Sequence, residues 1–221
     1  MDLPRVDQVS LRDRAYRILL DAIVTGGLQP GTRLRDHHLA QQMGLSRTPI
    51  REALQRLEDE GLVHTAPRSH TAVAPIEART AREAFPVVAA LHALAVRLSF
   101  PRWLPADSEA LHAANTALAA ALDQGSPRAA IEADDAFHGV FVARADNTEL
   151  IRMLESLMPK VRRLEWLQFS SLRGRESVAQ HMAIMDAIHV DVDATVRLVE
   201  ENWLSLGALI LQSLPSPQEG E

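Results

Sequence analysis

Cysteine is absent from this 221-residue chain. That absence excludes disulfides, thiolate-bound zinc and a cysteine nucleophile together, and it suits a reducing compartment. No run of eighteen apolar residues occurs, and Met1-Asp2-Leu3-Pro4-Arg5 lacks the apolar stretch of a signal peptide. The expectation is a cytoplasmic protein with no membrane partner. Lysine is nearly missing too, Lys160 being the only one, so the positive charge is almost all arginine. No internal repeat or low-complexity tract is visible. What is present is ordinary for a folded soluble protein, 47% apolar and 24% charged residues, with length enough for two modest domains.

The net charge of −6 divides unevenly. Residues 1–75 carry ten arginines against nine Asp and Glu, a net of +1. The remainder carries 13 Lys and Arg against 20 Asp and Glu, a net of −7. The acidic balance therefore belongs to the second half and does not argue against a nucleic-acid partner for the first.

Residues 10–25 place Leu11, Ala15, Ile18, Leu19, Ala22 and Ile23 at helical spacing, and Gly26-Gly27 end the helix. After the turn signal Pro30-Gly31, Asp36 is expected to cap a short helix through Leu39, Ala40 and Met43, closed by Gly44. Ser46-Arg47-Thr48-Pro49 opens a third helix that runs to Glu60-Gly61. Short helix, tight turn and longer helix is the helix-turn-helix order. Residues 62–75 have β-branched positions on either side of a polar centre and read as a two-stranded wing. From Glu77 strand signals vanish. About six helices follow, with breaks near Pro101–Pro105, Gly125–Pro127, Asp146-Asn147 and Gly174.

On the third helix Ile50, Ala53, Leu54 and Leu57 share one side, and Thr48, Arg51 and Gln55 share the other. Arg47 lies in the first turn, where a recognition helix meets base edges and phosphates. Arginine can give two parallel hydrogen bonds to a guanine edge or a phosphate, and Ser46, Thr48 and the helix N-terminus suit phosphate oxygens. From these residues alone, a solvated face carrying arginines for solubility stands beside the DNA-reading one.

In the second half, Asp134 and His138 are four residues apart on one helical face and can share a divalent metal. His181 lies on an inward stripe with Ile184, Met185 and Ile188 and offers another nitrogen. An ion-paired or capping aspartate with two core histidines satisfies the same pattern. A catalytic metal in a hydrolase is a third reading, but the chain has no His-Glu-x-x-His motif.

Gly27-Leu28-Gln29-Pro30-Gly31, Leu34, Leu39-Ala40, the run from Gly44 to Leu57 and Gly61-Leu62-Val63 resemble the DNA-binding domain of the GntR family of bacterial regulators, in register over about sixty residues. The resemblance implies operator contacts by Ser46, Arg47, Thr48, Arg51 and His37, and a wing tip in the minor groove. His70 stands where the family usually has glycine, so the tip is reshaped or His70 itself reaches DNA. Asp134-x-x-Phe137-His138, then Ala145 to Leu150, then His181 resemble the helical effector domain of the FadR-type subgroup. That resemblance implies a metal such as zinc, nickel or manganese, held by one aspartate and three histidines beneath a pocket for a small carboxylate. Asp134, His138 and His181 match three ligands; the fourth place is Trp203, which the four-and-three spacing from Val192 to Ile210 turns inward. An indole has no lone pair to offer a metal. Val88 and His92 also replace an arginine and a glutamate frequent in the family, so the pocket is remodelled. Either a three-ligand metal completed by water or effector, or no functional metal, is compatible with these residues.

The chain is thus expected to be mainly α. A winged helix-turn-helix (1–75) and a linker (76–80) precede an antiparallel bundle of about six helices (81–214) for effector binding and dimerisation, and a frayed tail (215–221) ends the chain. The expected function is a homodimeric transcriptional regulator, not an enzyme, that releases palindromic operator DNA when a small organic acid or related metabolite binds. The alternative keeps DNA binding and makes the helical half only a dimerisation scaffold.

Overall fold

The computed structural model describes residues 10–65, 70–166 and 174–214. Residues 66–69 of the expected wing and the expected frayed tail, residues 215–221, lie outside the described residues. Among those described, nine α-helices and three short strands form two units, divided between Ile76 and Glu77.

The first unit begins with α1 (Leu11–Val24), whose first turn is capped by Ser10, the hydroxyl accepting the Asp13 N–H at 3.1 Å. Helices α2 (Asp36–Met43) and α3 (Arg47–Asp59) follow. Between them Gly44 takes a left-handed φ of 64°, the conformation that ends α2 and that glycine adopts without strain. Helix α3 packs Ile50, Ala53, Leu54 and Leu57 into one core with Ala15, Leu19 and Ile23 of α1. A polar clasp reinforces that contact. The Tyr16 hydroxyl donates to Glu60 at 2.7 Å, and the Arg56 guanidinium sits 3.7 Å above the Tyr16 ring.

One expectation about helix starts is corrected here. Asp36 is the first residue of α2, not its cap; Arg35 holds the cap position and makes no side-chain cap bond. Ser46 does hold the cap position of α3, but its hydroxyl makes no cap hydrogen bond either.

The wing strands β2 (Val63–Thr65) and β3 (Thr71–Val73) pair antiparallel, with Val63 opposite Val73. A third strand, β1 (Arg33–Leu34), pairs with the outer side of β3. It escaped the sequence pattern because two residues show no alternation.

The second unit contains α4 (Ala78–Ser99), a 3₁₀ turn (Phe100–Arg102), α5 (Pro105–Asp123), α6 (Pro127–Ala145), α7 (Thr148–Trp166), α8 (Gly174–Ala187) and α9 (Val192–Ser213). Helix α4 is central, packed on α6, α7 and α9, while α5 lies on α6 and α8. With the 3₁₀ turn, α4 is long and apolar enough to cross a membrane by length and composition, with a mean hydropathy of 1.5 over 18 residues. Half of that window is buried within the unit, as befits its core helix. Gly207 of α9 permits a close approach to α4: a Cβ there would stand 2.7 Å from Phe85 Cβ and Cγ.

Local chemistry explains the helix breaks. Asp146 ends α6 in the left-handed region, and the Asn147 carbonyl Oδ1 then accepts the N–H groups of Glu149 and Leu150, both at 3.1 Å. The break expected near Gly174 falls between α7 and α8, and Gly174 is the first residue of α8. A break that the sequence reading missed precedes α9, where the Asp191 carboxylate caps through the N–H groups of Asp193 and Ala194.

Candidate nucleic-acid interface and buried polar cluster

The exposed side of α3 carries Arg47, Thr48, Arg51 and Gln55, with Ser46 just before it, and all five are exposed. A cleft of about 570 Å³ adjoins this face, and His37, Arg51, Gln55 and His70 line it together. Ser46, Arg47 and Thr48 are outside that lining and cluster at the helix N-terminus. His70 is half-buried just before β3 and lines the same opening as Arg51 and Gln55 of α3. Glu58 ties α3 to the wing, its carboxylate accepting the Thr65 N–H at 2.9 Å and the Thr65 hydroxyl at 3.2 Å.

Asp36 is the charge that organises this face. Its Oδ2 accepts hydrogen bonds from Arg47 Nη2 at 2.8 Å, Arg47 Nε at 3.2 Å and Arg51 Nε at 2.7 Å. Oδ1 accepts the His37 N–H at 2.7 Å. The Arg47 bonds first, then that from Arg51, hold its pKa down at about 2.

The second unit gathers three histidines from three helices. His92 of α4 stacks on Trp203 of α9, centroids 4.7 Å apart, and His138 of α6 meets His92 edge-on at 5.2 Å. His138 also lies 5.1 Å from the ring of His181 on α8 and 4.8 Å from Trp203. All four rings are buried. Burial above all pushes the pKa of His92 and His138 well below the usual histidine value and lowers that of His181, so the imidazoles are neutral. Val88, one helical turn before His92 on α4, is fully buried and contributes no polar atom.

Asp134, His138 and His181 form the expected group, each offering a ligand atom within 4.8 Å of the others. Two atoms bound to one ion at about 2.1 Å lie at most about 4.2 Å apart, so a slight contraction brings the set together. The tautomer of His181 is also the right one. Asn115 Nδ2 donates to the Val178 carbonyl at 3.3 Å, which leaves Asn115 Oδ1 as an acceptor for His181 Nδ1 at 3.2 Å. The lone pair of His181 is therefore on Nε2, which faces Asp134 Oδ1 at 3.6 Å and has no hydrogen bond. His138 Nδ1 is likewise buried without a partner. These donors fit a divalent ion with three protein ligands. Trp203 supplies no fourth, since its Nε1 can only donate and has no partner.

A family model for the FCD domain matches residues 83–202, more than half of the chain, and one for bacterial regulatory proteins of the gntR family matches residues 11–73. The chain belongs to the GntR family. The Nta operon transcriptional regulator of Aminobacter aminovorans is 31% identical over 158 residues, covering 71% of this chain and 73% of that protein. A probable D-xylose utilization operon transcriptional repressor from Paenarthrobacter nicotinovorans is 26% identical, covering 83% and 81%. The structure of McbR/YncC from E. coli superposes with a TM-score of 0.80 at 25% identity, over 93% of this chain and 99% of that one. This GntR regulator is therefore a DNA-binding transcription factor and not an enzyme, which removes the hydrolase reading. GntR regulators bind operator DNA and effectors, typically as dimers, and FCD domains can bind metals.

Four participants went unrecognised in the sequence of this GntR regulator. Arg162 of α7 is buried, pairing with Asp135 and Glu165 and lying 3.4 Å from Asp134. Burial alone would lower its pKa, but the carboxylates of Glu165, Asp135 and Asp134 raise it. Glu165 is pushed up to about 8 by burial, against the pull of Arg162. Asn115 and Asp36 are the other two. The i, i+3 spacing of Arg162 and Glu165 was the one available signal for the first pair.

Proposed function

We propose that this protein is a metabolite-responsive repressor that acts in the cytoplasm as a homodimer on palindromic operator DNA. Ser46, Arg47, Thr48 and Arg51 contact the operator, with Gln55, His37 and His70 along the adjoining cleft. The helical unit receives the effector, a small organic acid or related metabolite, at the cluster of His92, His138, His181 and Trp203. One observation carries the sensor role. Of eight buried side-chain polar atoms without a hydrogen-bond partner among the described residues, seven belong to His92, His138, Arg162, Glu165, His181 and Trp203. Leaving such groups unpaired costs about 1–3 kcal/mol each, so a protein that gathers them in one place has a ligand for them.

Asp134, His138 and His181 would hold a divalent ion, with zinc, nickel and manganese the candidates. Such an ion supplies a Lewis-acidic position to which a carboxylate oxygen can bind. Val88 brings no charge, and Arg162 is already committed to three carboxyl groups. An anionic effector therefore draws its remaining hydrogen bonds from Trp203 Nε1, Arg162 Nε and the single N–H of neutral His92, donors of this cluster left without partners.

The complete burial of Trp203 favours a second reading, in which its indole fills the pocket and the helical unit serves only to dimerise. A thermal-shift screen of the full chain with small carboxylates and sugar acids separates the two. A compound that stabilises the protein and also releases bound operator supports the sensor; silence across a broad panel supports the scaffold.

A further inference from the structure

Asp36 is an acidic group on a face that meets a polyanion, and general electrostatics would select against it there. It does not stand apart from the reading arginines. It grips Arg51 by Nε and Arg47 by Nε and Nη2. Both terminal nitrogens of Arg51 and one of Arg47 make no hydrogen bond among the described residues. The carboxylate thus binds the inner edge of each guanidinium and leaves outer N–H groups facing out. In Arg51 the free pair is the one that can bridge O6 and N7 of a guanine. The same contact cuts the charge of the arginine pair from two to one, which weakens attraction to any phosphate irrespective of sequence.

We propose that Asp36 is a specificity-determining positioning residue, which holds Arg47 and Arg51 ready for base edges and keeps them from indiscriminate phosphate binding. The proposal rests on the assignment of α3 as the reading helix. The protein trades non-specific affinity for discrimination, and α2 contributes this by delivering one carboxylate to the arginines of α3. The first turn of α2 fixes the carboxylate, since Oδ1 is anchored on the His37 N–H.

The test compares the full-length protein with Asp36→Asn, which keeps an acceptor for the His37 N–H but removes the charge. Affinity is measured for a DNA fragment enriched by the wild type from a random library, and for a scrambled fragment, across a salt series. Binding of the variant to scrambled DNA is expected to rise about 3- to 10-fold, with the slope against salt steeper by about one ion. Binding to the enriched fragment stays level or weakens, so the ratio of the two falls at least about threefold. Arg51→Lys, which keeps the charge but loses the fork, is expected to lower that ratio without strengthening binding to scrambled DNA. An unchanged ratio in Asp36→Asn, or an equal fall in both affinities, overturns the proposal while leaving the DNA-reading assignment intact. If the wild type enriches no sequence at all, the assignment of α3 falls and the role of Asp36 falls with it.

Discussion

Asn115 on α5 accepts the Nδ1 hydrogen of His181 on α8 across 3.2 Å, and so decides which imidazole nitrogen faces Asp134. Asn115 is itself held by its bond to the Val178 carbonyl. A ligand histidine is commonly oriented in this way, and loss of the orienting partner typically costs about 10–100-fold in metal affinity. Asn115→Ala should therefore bind zinc about 10–100-fold more weakly in competition with a chromophoric chelator. Asn115→Asp, which still accepts, should bind nearly as the wild type does. Equal affinity in Asn115→Ala would show that the His181 tautomer is set elsewhere.

Trp203 lies beside the three candidate ligands, 4.8 Å from the ring of His138, and is proposed to stand where a fourth would complete the set. Trp203→His should raise zinc affinity more than tenfold, because it replaces a group without a lone pair by one that has it. It should also lower stability by about 2 kcal/mol in the metal-free protein, through the packing volume lost around His92. Isothermal titration and thermal melting in chelator read the two effects separately. Lower stability with no gain in metal affinity would mean that the position does not face the donor set.

The sequence made some parts of this site legible and hid others for identifiable reasons. Asp134 and His138 declared themselves because i, i+4 spacing on a helix is local. His181 and Trp203 could be assigned to the interior from their apolar stripes, and both are fully buried. Their meeting with His92 depends on how α4, α6, α8 and α9 pack, which no local spacing encodes. Arg162 shows the limit most clearly: a buried guanidinium shared by carboxyl groups on two helices looks like any surface arginine in a string of letters. In the first unit, the two faces of α3 followed directly from its periodicity. The place of Asp36 did not, because a residue that suits a helix cap turned out to serve side chains 11 and 15 positions away.

The buried ionisable groups give stability a distinct pH dependence in the metal-free protein. Glu165 has a folded pKa of about 8 against an ordinary value of 4.5, so the folded state holds a proton that the unfolded chain releases. Stability from this group falls as pH rises from 4.5 towards 8. His92 and His138 act oppositely: with folded values well below 6.5, they cost stability as pH falls below 6.5. Of these three groups, Glu165 alone still acts between pH 6.5 and 8, with a ceiling of about 1.4 kcal/mol per pH unit. Denaturant unfolding across that window should show stability declining in the wild type and level in Glu165→Gln. A decline of the same slope in both proteins would assign it to another group.

The clasp between α1 and the end of α3 should govern the stability of the reading unit. The hydroxyl of Tyr16 bonds a buried carboxylate, and hydrogen bonds to charged groups are worth about 1.5–3 kcal/mol. Tyr16→Phe should lose about that much while keeping the stacking of Arg56. Chemical denaturation followed by circular dichroism measures it, and a change below about 0.5 kcal/mol would show that water replaces the hydroxyl at no cost.

On the proposed function, the first unit reads DNA sequence through the N-terminal half of α3. Sequencing the fragments that the purified full-length protein selects from a random library tests it most directly, with Arg47→Ala and Arg51→Ala carried through the same selection. The wild type is expected to enrich a two-fold symmetric motif, with guanines whose enrichment disappears in one or both variants. Wild-type enrichment of no motif, or of the same motif by all three proteins, would contradict it.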